Sequence, residues 1–271
     1  MNSLIQVLIE QIKNHQIARR IVKYDRRSSS QDYYLGQVWE IINPILQVSV
    51  YFLMIFMGLR SYSDRAGGSW GFLSWMLVGM GVYRFISQTI NVGSKSVKRQ
   101  LGIASKMNFP LSIAPQISLL SNLLPLYVLV LLGVGLRLYA HLSVHINLIA
   151  LVYYFVAAVL FAYGMALLLS TLVIIIPDLS PLIGTALNMG MWLSGVIFPV
   201  ESMSPVLMDI LQLNPTYYLV YGFRNTLFGN EAAFNINWDN MTILFWAITL
   251  IIFMVGSHLH LKFKSQFSEY V

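Results

Sequence analysis

Apolar residues run unbroken, or nearly so, through six stretches of the chain: residues 41–59, 72–92, 117–136, 147–176, 182–198 and 241–259. Most match the roughly 20 residues that an α-helix needs to cross a hydrocarbon core of about 30 Å. The pattern therefore predicts six membrane-crossing helices and an all-α, polytopic fold. The fourth stretch is longest, and a straight helix of its 30 residues would measure about 45 Å. It must tilt or project from the membrane. Pro177 and Pro181 close it abruptly, which favours projection. Pro44 falls in the first turns of the first crossing, where proline is tolerated, and Trp39 at its edge is placed as an interfacial anchor.

Ahead of the crossings, residues 3–24 carry a different pattern. Leu4, Ile5, Leu8, Ile9 and Ile12 share one helical face, and Ile17, Ile21 and Val22 continue it on a rotated face. Lys13, Arg19, Arg20 and Lys23 add positive charge. A basic amphipathic helix in the headgroup plane is expected; the alternative is a cytoplasmic helix packed on a protein partner. Arg26, Arg27, Ser28, Ser29 and Ser30 make a polar break. The expected organisation is an interface helix and linker over 1–30 and a six-helix domain over 31–271.

Composition agrees with lipid as part of the solvent. Of 271 residues, 57% are hydrophobic and 10% charged, where soluble domains carry about 25% charged residues. Mean hydropathy is +0.66. The net charge of +6 reads as orientation, because Lys and Arg collect on the cytoplasmic side. With the N-terminus inside, twelve cations lie inside (Lys13, Arg19, Arg20, Lys23, Arg26, Arg27, Lys95, Lys98, Arg99, Lys106, Lys262 and Lys264). Only Arg60, Arg65, Arg137 and Arg224 lie outside. Both termini are therefore expected on the cytoplasmic side of the membrane. The first long apolar stretch follows a lead too long for the n-region of a cleavable signal peptide. No basic stretch is interleaved with exposed aromatics, so nucleic acid is not an expected partner. With no cysteine, disulfides, thiolate metal sites and thiol catalysis are excluded.

Two loops stand out. Residues 93–112 carry four cations and no anion, and residues 95–107 are expected to form a short helix ending before Pro110. Lys95, Lys98, Arg99, Gln100 and Lys106 are its candidate contacts, either with a motor protein or with anionic headgroups. Residues 199–240 make an unusually long and apolar loop on the other side. Ser204-Pro205 is a helix start and Asn214-Pro215 a stop, so two short helices are expected there, dipping into the membrane or capping the bundle. Pro199, Asn214, Pro215, Tyr217, Tyr218 and Arg224 are the candidate residues of this region.

Within the crossings, Arg84 lies about 12 Å from the inner helix end. A cation there is costly; it either snorkels or meets an anionic substrate in a lumen. Tyr51, Phe56, Trp75, Tyr83 and Trp192 could line a path for sugar rings or serve as anchors and packing. His258 and His260 point to different helix faces, and His141 and His145 fall in an outer loop, so no metal site is expected. There is no G-x-x-x-x-G-K-[ST] loop for ATP, no H-E-x-x-H and no G-x-S-x-G. Intramembrane carboxylates are nearly missing, which argues against ion coupling. No catalytic residue and no cofactor in the chain are expected, and transport without either points to an external motor.

The residues carrying a family likeness are in order along the chain. They are Tyr34-Leu35-Gly36-Gln37-Val38-Trp39 with Asn43-Pro44 and Phe56-Met57-Gly58; Phe109-Pro110-Leu111; Asp178-Leu179 leading to Trp192-Leu193-Ser194-Gly195-Val196-Ile197-Phe198-Pro199; and Leu213-Asn214-Pro215-Thr216-Tyr217-Tyr218 with Tyr221-Gly222-Phe223-Arg224. Together they resemble the permease subunits of ABC-2 type exporters, and among these the teichoic acid and polysaccharide export group. Pro177 stands where the family often has arginine before Asp178. The resemblance implies a homodimer with two ABC ATPase subunits, which hold ATP and Mg. It also implies an N-terminal helix along the membrane, a coupling helix in residues 95–107, re-entrant helices in residues 199–225, and a polymer on an undecaprenyl-type lipid as substrate. Teichoic acid is the first expectation, capsule or O-antigen polysaccharide the next, then a drug or lipid. An integral-membrane enzyme acting on lipid-linked sugars is the remote alternative.

Overall fold

The computed structural model describes residues 2–29, 34, 36–58, 68–104, 110–197, 205–229, 240–264 and 267. All described secondary structure is helical. α1 (Asn2–Ser29) precedes a 3-10 turn (Gly36–Val38) that opens α2 (Trp39–Gly58). α3 (Gly68–Ser94) turns at Lys95 into α4 (Ser96–Ala104). A 3-10 turn (Leu111–Ile113) leads into α5 (Ala114–Tyr139). Then come α6 (Leu148–Ile175), α7 (Leu179–Gly190), a 3-10 turn (Trp192–Ser194), α8 (Pro205–Gln212), α9 (Pro215–Phe228) and α10 (Asn240–Phe263).

Three segments are long and apolar enough to cross a membrane: Leu111–Tyr139, Leu148–Ile175 and Asn240–Phe263. α3 is as long, at 27 residues, or about 40 Å. It is less apolar, with Arg84, Gln88 and Asn91, because its neighbours are helices rather than lipid. It packs against α5 and α6 along its length and against α9 near its start. Close approach to α5 is bought by missing side chains on both helices: Gly81 faces Leu129, and Gly133 faces Val78. Small residues serve this purpose where lipid supplies no hydrophobic drive between helices. On its other flank α6 packs on α10, so α3, α5, α6 and α10 form the core.

α6 begins as the sequence predicts. The Asn147 side chain caps it by accepting from the Ala150 amide at 3.1 Å, one of the first-turn donors a helix leaves unpaired. Its far end, Ile174, packs with Val97, Leu101, Leu111, Ala114 and Phe267. The extra length of this helix thus backs α4.

The fifth predicted crossing is not one continuous helix. α7 has 12 residues, about 18 Å, and stops at Gly190. The Ser194 hydroxyl then donates to the Gly190 carbonyl at 2.6 Å, and Gly195 adopts φ 62°, a left-handed conformation that stops a helix and favours glycine. Hydrophobicity alone hides this break, since Trp192, Leu193, Val196 and Ile197 on either side are apolar.

α1 lies across α5, α10 and the turn before α5. Val7, Ala18 and Val22 are buried against the bundle; Ala18 and Val22 meet Ile117. Ile5, Ile9 and Ile12 are exposed on the opposite side, with Ile12 76% exposed. The rotated apolar face read from the sequence is divided: Val22 is buried, Ile21 half-buried and Ile17 exposed.

Candidate functional site

The end of the bundle that carries α4 offers cations backed by a rigid support. Val97 and Leu101 bury one side of α4 in the cluster with Ile174 and Phe267. Lys98 and Arg99, between them in sequence, are exposed. Four-residue spacing of the apolar pair is what one helical face requires. Lys95 sits at the turn that starts α4, and the Arg99 amide donates to its carbonyl at 3.1 Å. Gln100, expected to reach a partner, is instead buried, and its Oε1 has no hydrogen-bond partner among the described residues. α4 is described as far as Ala104; the remainder of the predicted 95–107, Lys106 included, lies outside the described residues.

A second cluster spans α2, α3 and the turn after α7. Arg84 Nη1 donates to Gln47 Oε1 at 3.3 Å, and Gln47 Nε2 makes a long contact of 3.5 Å to the Tyr51 hydroxyl. Tyr51 meets Trp192 edge to face, with centroids 6.2 Å apart. The structure therefore brings together three of the residues expected on a substrate path. Tyr83 is turned inward, its hydroxyl donating to the Leu187 carbonyl of α7. Trp75 is on another side of α3, stacked on Phe72 at 5.7 Å. Phe56 belongs to α2, but its side chain lies outside the described residues.

The opposite end is closed by α9. Asn214 caps it, its Oδ1 accepting from the Thr216 amide at 2.9 Å, while its Nδ2 donates to the Leu193 carbonyl at 3.1 Å. The Ser194 and Thr216 hydroxyls pair at 2.6 Å. Arg224 is 6% exposed. Its Nε donates to the Trp75 carbonyl at 3.0 Å, Nη1 to the Gly195 carbonyl at 2.6 Å and Nη2 to the Val196 carbonyl at 2.8 Å. Its guanidinium also lies 3.3 Å over the Trp75 ring, a cation–π contact. The break after α7 is thus what exposes the carbonyls of Gly195 and Val196 to Arg224. Tyr217 stacks on Tyr221 at 5.8 Å and Tyr218 on Phe245 at 4.8 Å; Tyr218 also pairs with the Tyr153 hydroxyl at 3.0 Å. Pro215 opens α9 at its first helical position. Pro199 and Ser204 lie outside the described residues, as does Phe109.

Sequence reasoning did not find a polar knot behind α4. Glu10 and Gln11 of α1, Ser112, Tyr163 of α6 and Lys264 meet there. The only local signal is Glu10, the one acid besides Asp25 on a basic helix. Burial raises the Glu10 carboxyl, but the Ser112 hydroxyl and the Lys264 ammonium outweigh it and hold Glu10 below its ordinary value.

A multi-pass helical bundle with an exposed cationic helix at one end and no nucleotide loop of its own defines a membrane subunit. Residues 18–228 match the model of the ABC-2 type transporter family, and the chain belongs to that family. It is the permease of an ABC exporter, a class that works with ABC ATPase partners. The chain is 21% identical over 245 residues to the O-antigen export system permease protein RfbA of Klebsiella pneumoniae, covering 87% of each chain.

Proposed function

We propose that this chain, paired with a separate ABC ATPase that binds ATP and Mg, moves a lipid-linked cell-surface polysaccharide across the bacterial cytoplasmic membrane. One observation carries the reading: within the family-matched region, α4 presents Lys98 and Arg99 outward from a buried, apolar footing. A cationic patch without such a footing would yield to a push; this one would pass it to α5 and α6.

The finer parts follow from sequence. The positive-inside distribution puts α1, α4 and both termini in the cytoplasm, and α8 and α9 on the outer side as re-entrant helices beside six crossings per subunit. Two copies of the chain and two ATPases would form the complex, and the carrier would be of the undecaprenyl type. Arg84, Tyr51 and Trp192 form the strip best suited to the path: a guanidinium for the carrier's phosphate and aromatic faces for sugars.

Two polymers are in view. The motif resemblance supports teichoic acid, and the likeness to the Klebsiella O-antigen export permease supports O-antigen. Co-expression with a candidate ABC ATPase from the same organism, reconstitution, and export of each lipid-linked polymer tests the proposal. ATP-dependent export of a polyol-phosphate polymer supports the first polymer, and of a neutral glycan the second. Export by the permease alone, or no ATPase association, would overturn the proposal.

A further inference from the structure

Ser112 is held from three directions. Its carbonyl accepts from Gln11 Nε2 at 3.2 Å and from the Tyr163 hydroxyl at 3.1 Å. Its own hydroxyl donates to the Glu10 carboxylate. Gln11 also donates to the Tyr163 hydroxyl. The other oxygen of Glu10 accepts from Lys264 Nζ at 3.1 Å. One buried serine thereby joins α1, α6 and the end of α10.

Its place in the chain matters. Ser112 follows Pro110 and sits in the turn that connects α4 to α5. Leu111 and Ala114, on either side, pack against Val97 and Leu101 of α4. Any displacement of α4 therefore moves this turn, and Ser112 is the polar handle on it. Apolar contacts alone slide; a serine gripped through both its hydroxyl and its carbonyl is directional.

A second observation sets this end apart from the α9 end. Buried side-chain atoms without a hydrogen-bond partner, among the described residues, are those of Thr89, Asn91, Gln100, Gln116, Ser257 and His260. All lie in the end of α3, in α4, in the start of α5 or in the last turns of α10. The α9 end, by contrast, is cross-tied through Arg224, Asn214 and Ser194. Buried polar atoms are normally paired, so hydrogen bonds between side chains tie the α4 end less fully than the α9 end, and the Glu10–Ser112 contact is the more prominent there.

We infer that Glu10 is a positioning residue for transport: through Ser112 it makes α1 move with the α4–α5 turn, so that the stroke received by α4 reaches α1, α6 and α10 together. The inference rests on α4 being the ATPase-docking helix. The contact acts as a strut that stays made through the cycle.

The chain has no cysteine, so an introduced pair is the only thiol chemistry in the permease, and the ATPase is used in a cysteine-free form. The double variant Glu10→Cys/Ser112→Cys, in the complex with its ATPase, is assayed for polymer exported per ATP hydrolysed, before and after bridging with a short bis-methanethiosulfonate. The free pair is expected to hydrolyse ATP near the wild-type rate and to lose about tenfold in export per ATP, within the usual range of coupling effects. The bridge is expected to restore it, and reductant to remove it again. Wild-type export per ATP in the free pair, or no recovery on bridging, would overturn the inference. Where the pair does not assemble, Glu10→Gln and Glu10→Leu carry the same readout: glutamine still accepts from Ser112 and stays coupled, whereas leucine uncouples. Equal coupling in the two overturns the strut. A wild-type chain that neither binds nor stimulates the ATPase defeats the functional reading instead.

Discussion

The Arg224 guanidinium fills the space that a β-carbon on Gly79 would occupy. Arg224 is in α9 and Gly79 in the first half of α3, so this overlap fixes how far α9 reaches into the bundle. The charge is held by carbonyls of Trp75, Gly195 and Val196, groups that the helix start and the α7 break leave close together.

Arg224→Met leaves the Gly195 and Val196 carbonyls without this donor, whereas the Trp75 carbonyl keeps its place in the α3 ladder. Each buried unpaired group costs about 1–3 kcal/mol, so the variant is expected to lose at least about 2 kcal/mol of stability in detergent unfolding. Gly79→Ala is expected to cost about 1–3 kcal/mol by overpacking. In an Arg224→Ala background the same glycine change should cost less by more than about 1 kcal/mol, since the clash is gone. Additive losses would show that the two residues do not share the site.

Lys98 and Arg99 are exposed while their neighbours Val97 and Leu101 anchor α4. The double reversal Lys98→Glu/Arg99→Glu should therefore leave the permease folded, with an unchanged unfolding midpoint. Its affinity for the ATPase is expected to fall at least about tenfold, because like-charge contacts at an interface cost several kcal/mol. Wild-type binding should weaken with added salt, which titration at two ionic strengths would read. Unaltered binding by the reversed variant would move the docking surface elsewhere.

What the sequence made legible, and what it did not, divides by the range of the interaction. Helix existence was plain wherever lipid selects composition, as in α5, α6 and α10. The α6 start was legible because Asn147 is a local cap. The α8 and α9 helices were marked by Pro205 and Asn214-Pro215. The break after α7 was missed because its cause is partly distant: Arg224, 29 residues on from Gly195, takes the carbonyls the break frees. Gln100 reads as a contact in the sequence because it sits among cations, but its side of α4 is set by Val97 and Leu101, whose partners Ile174 and Phe267 are far along the chain. The Glu10–Ser112 contact spans 102 positions, and no local pattern announces it.

Orientation is open to direct chemical reading, again because native thiols are absent. A single cysteine at Lys98 should react with a membrane-impermeant maleimide in inverted vesicles and stay unlabelled in intact spheroplasts. One at Ser143, in the turn between α5 and α6, should show the reverse. The opposite pattern at both positions would invert the topology and remove the ATPase from α4.

The Glu10 carboxylate also gives α1 a pH dependence with a definite sign. Burial raises its proton affinity, but the Ser112 hydroxyl and Lys264 lower it further, with His260 acting in the same sense, so Glu10 titrates below its ordinary 4.5. A group lowered on folding stabilises the docked helix fully above that ordinary value. The contribution fades as pH falls through the lower, folded value. A nitroxide on a cysteine at Gln16, on the exposed side of α1, is expected to keep constant mobility from neutral pH down to about 5 and to loosen below it. In Glu10→Gln the Lys264 ion pair is absent at every pH, so that transition should disappear, with the label at the looser level of the neutral side chain throughout and the Ser112 bond still made. A transition of the same size in Glu10→Gln would assign the effect to another acid and leave Glu10 without a charge-dependent part in docking.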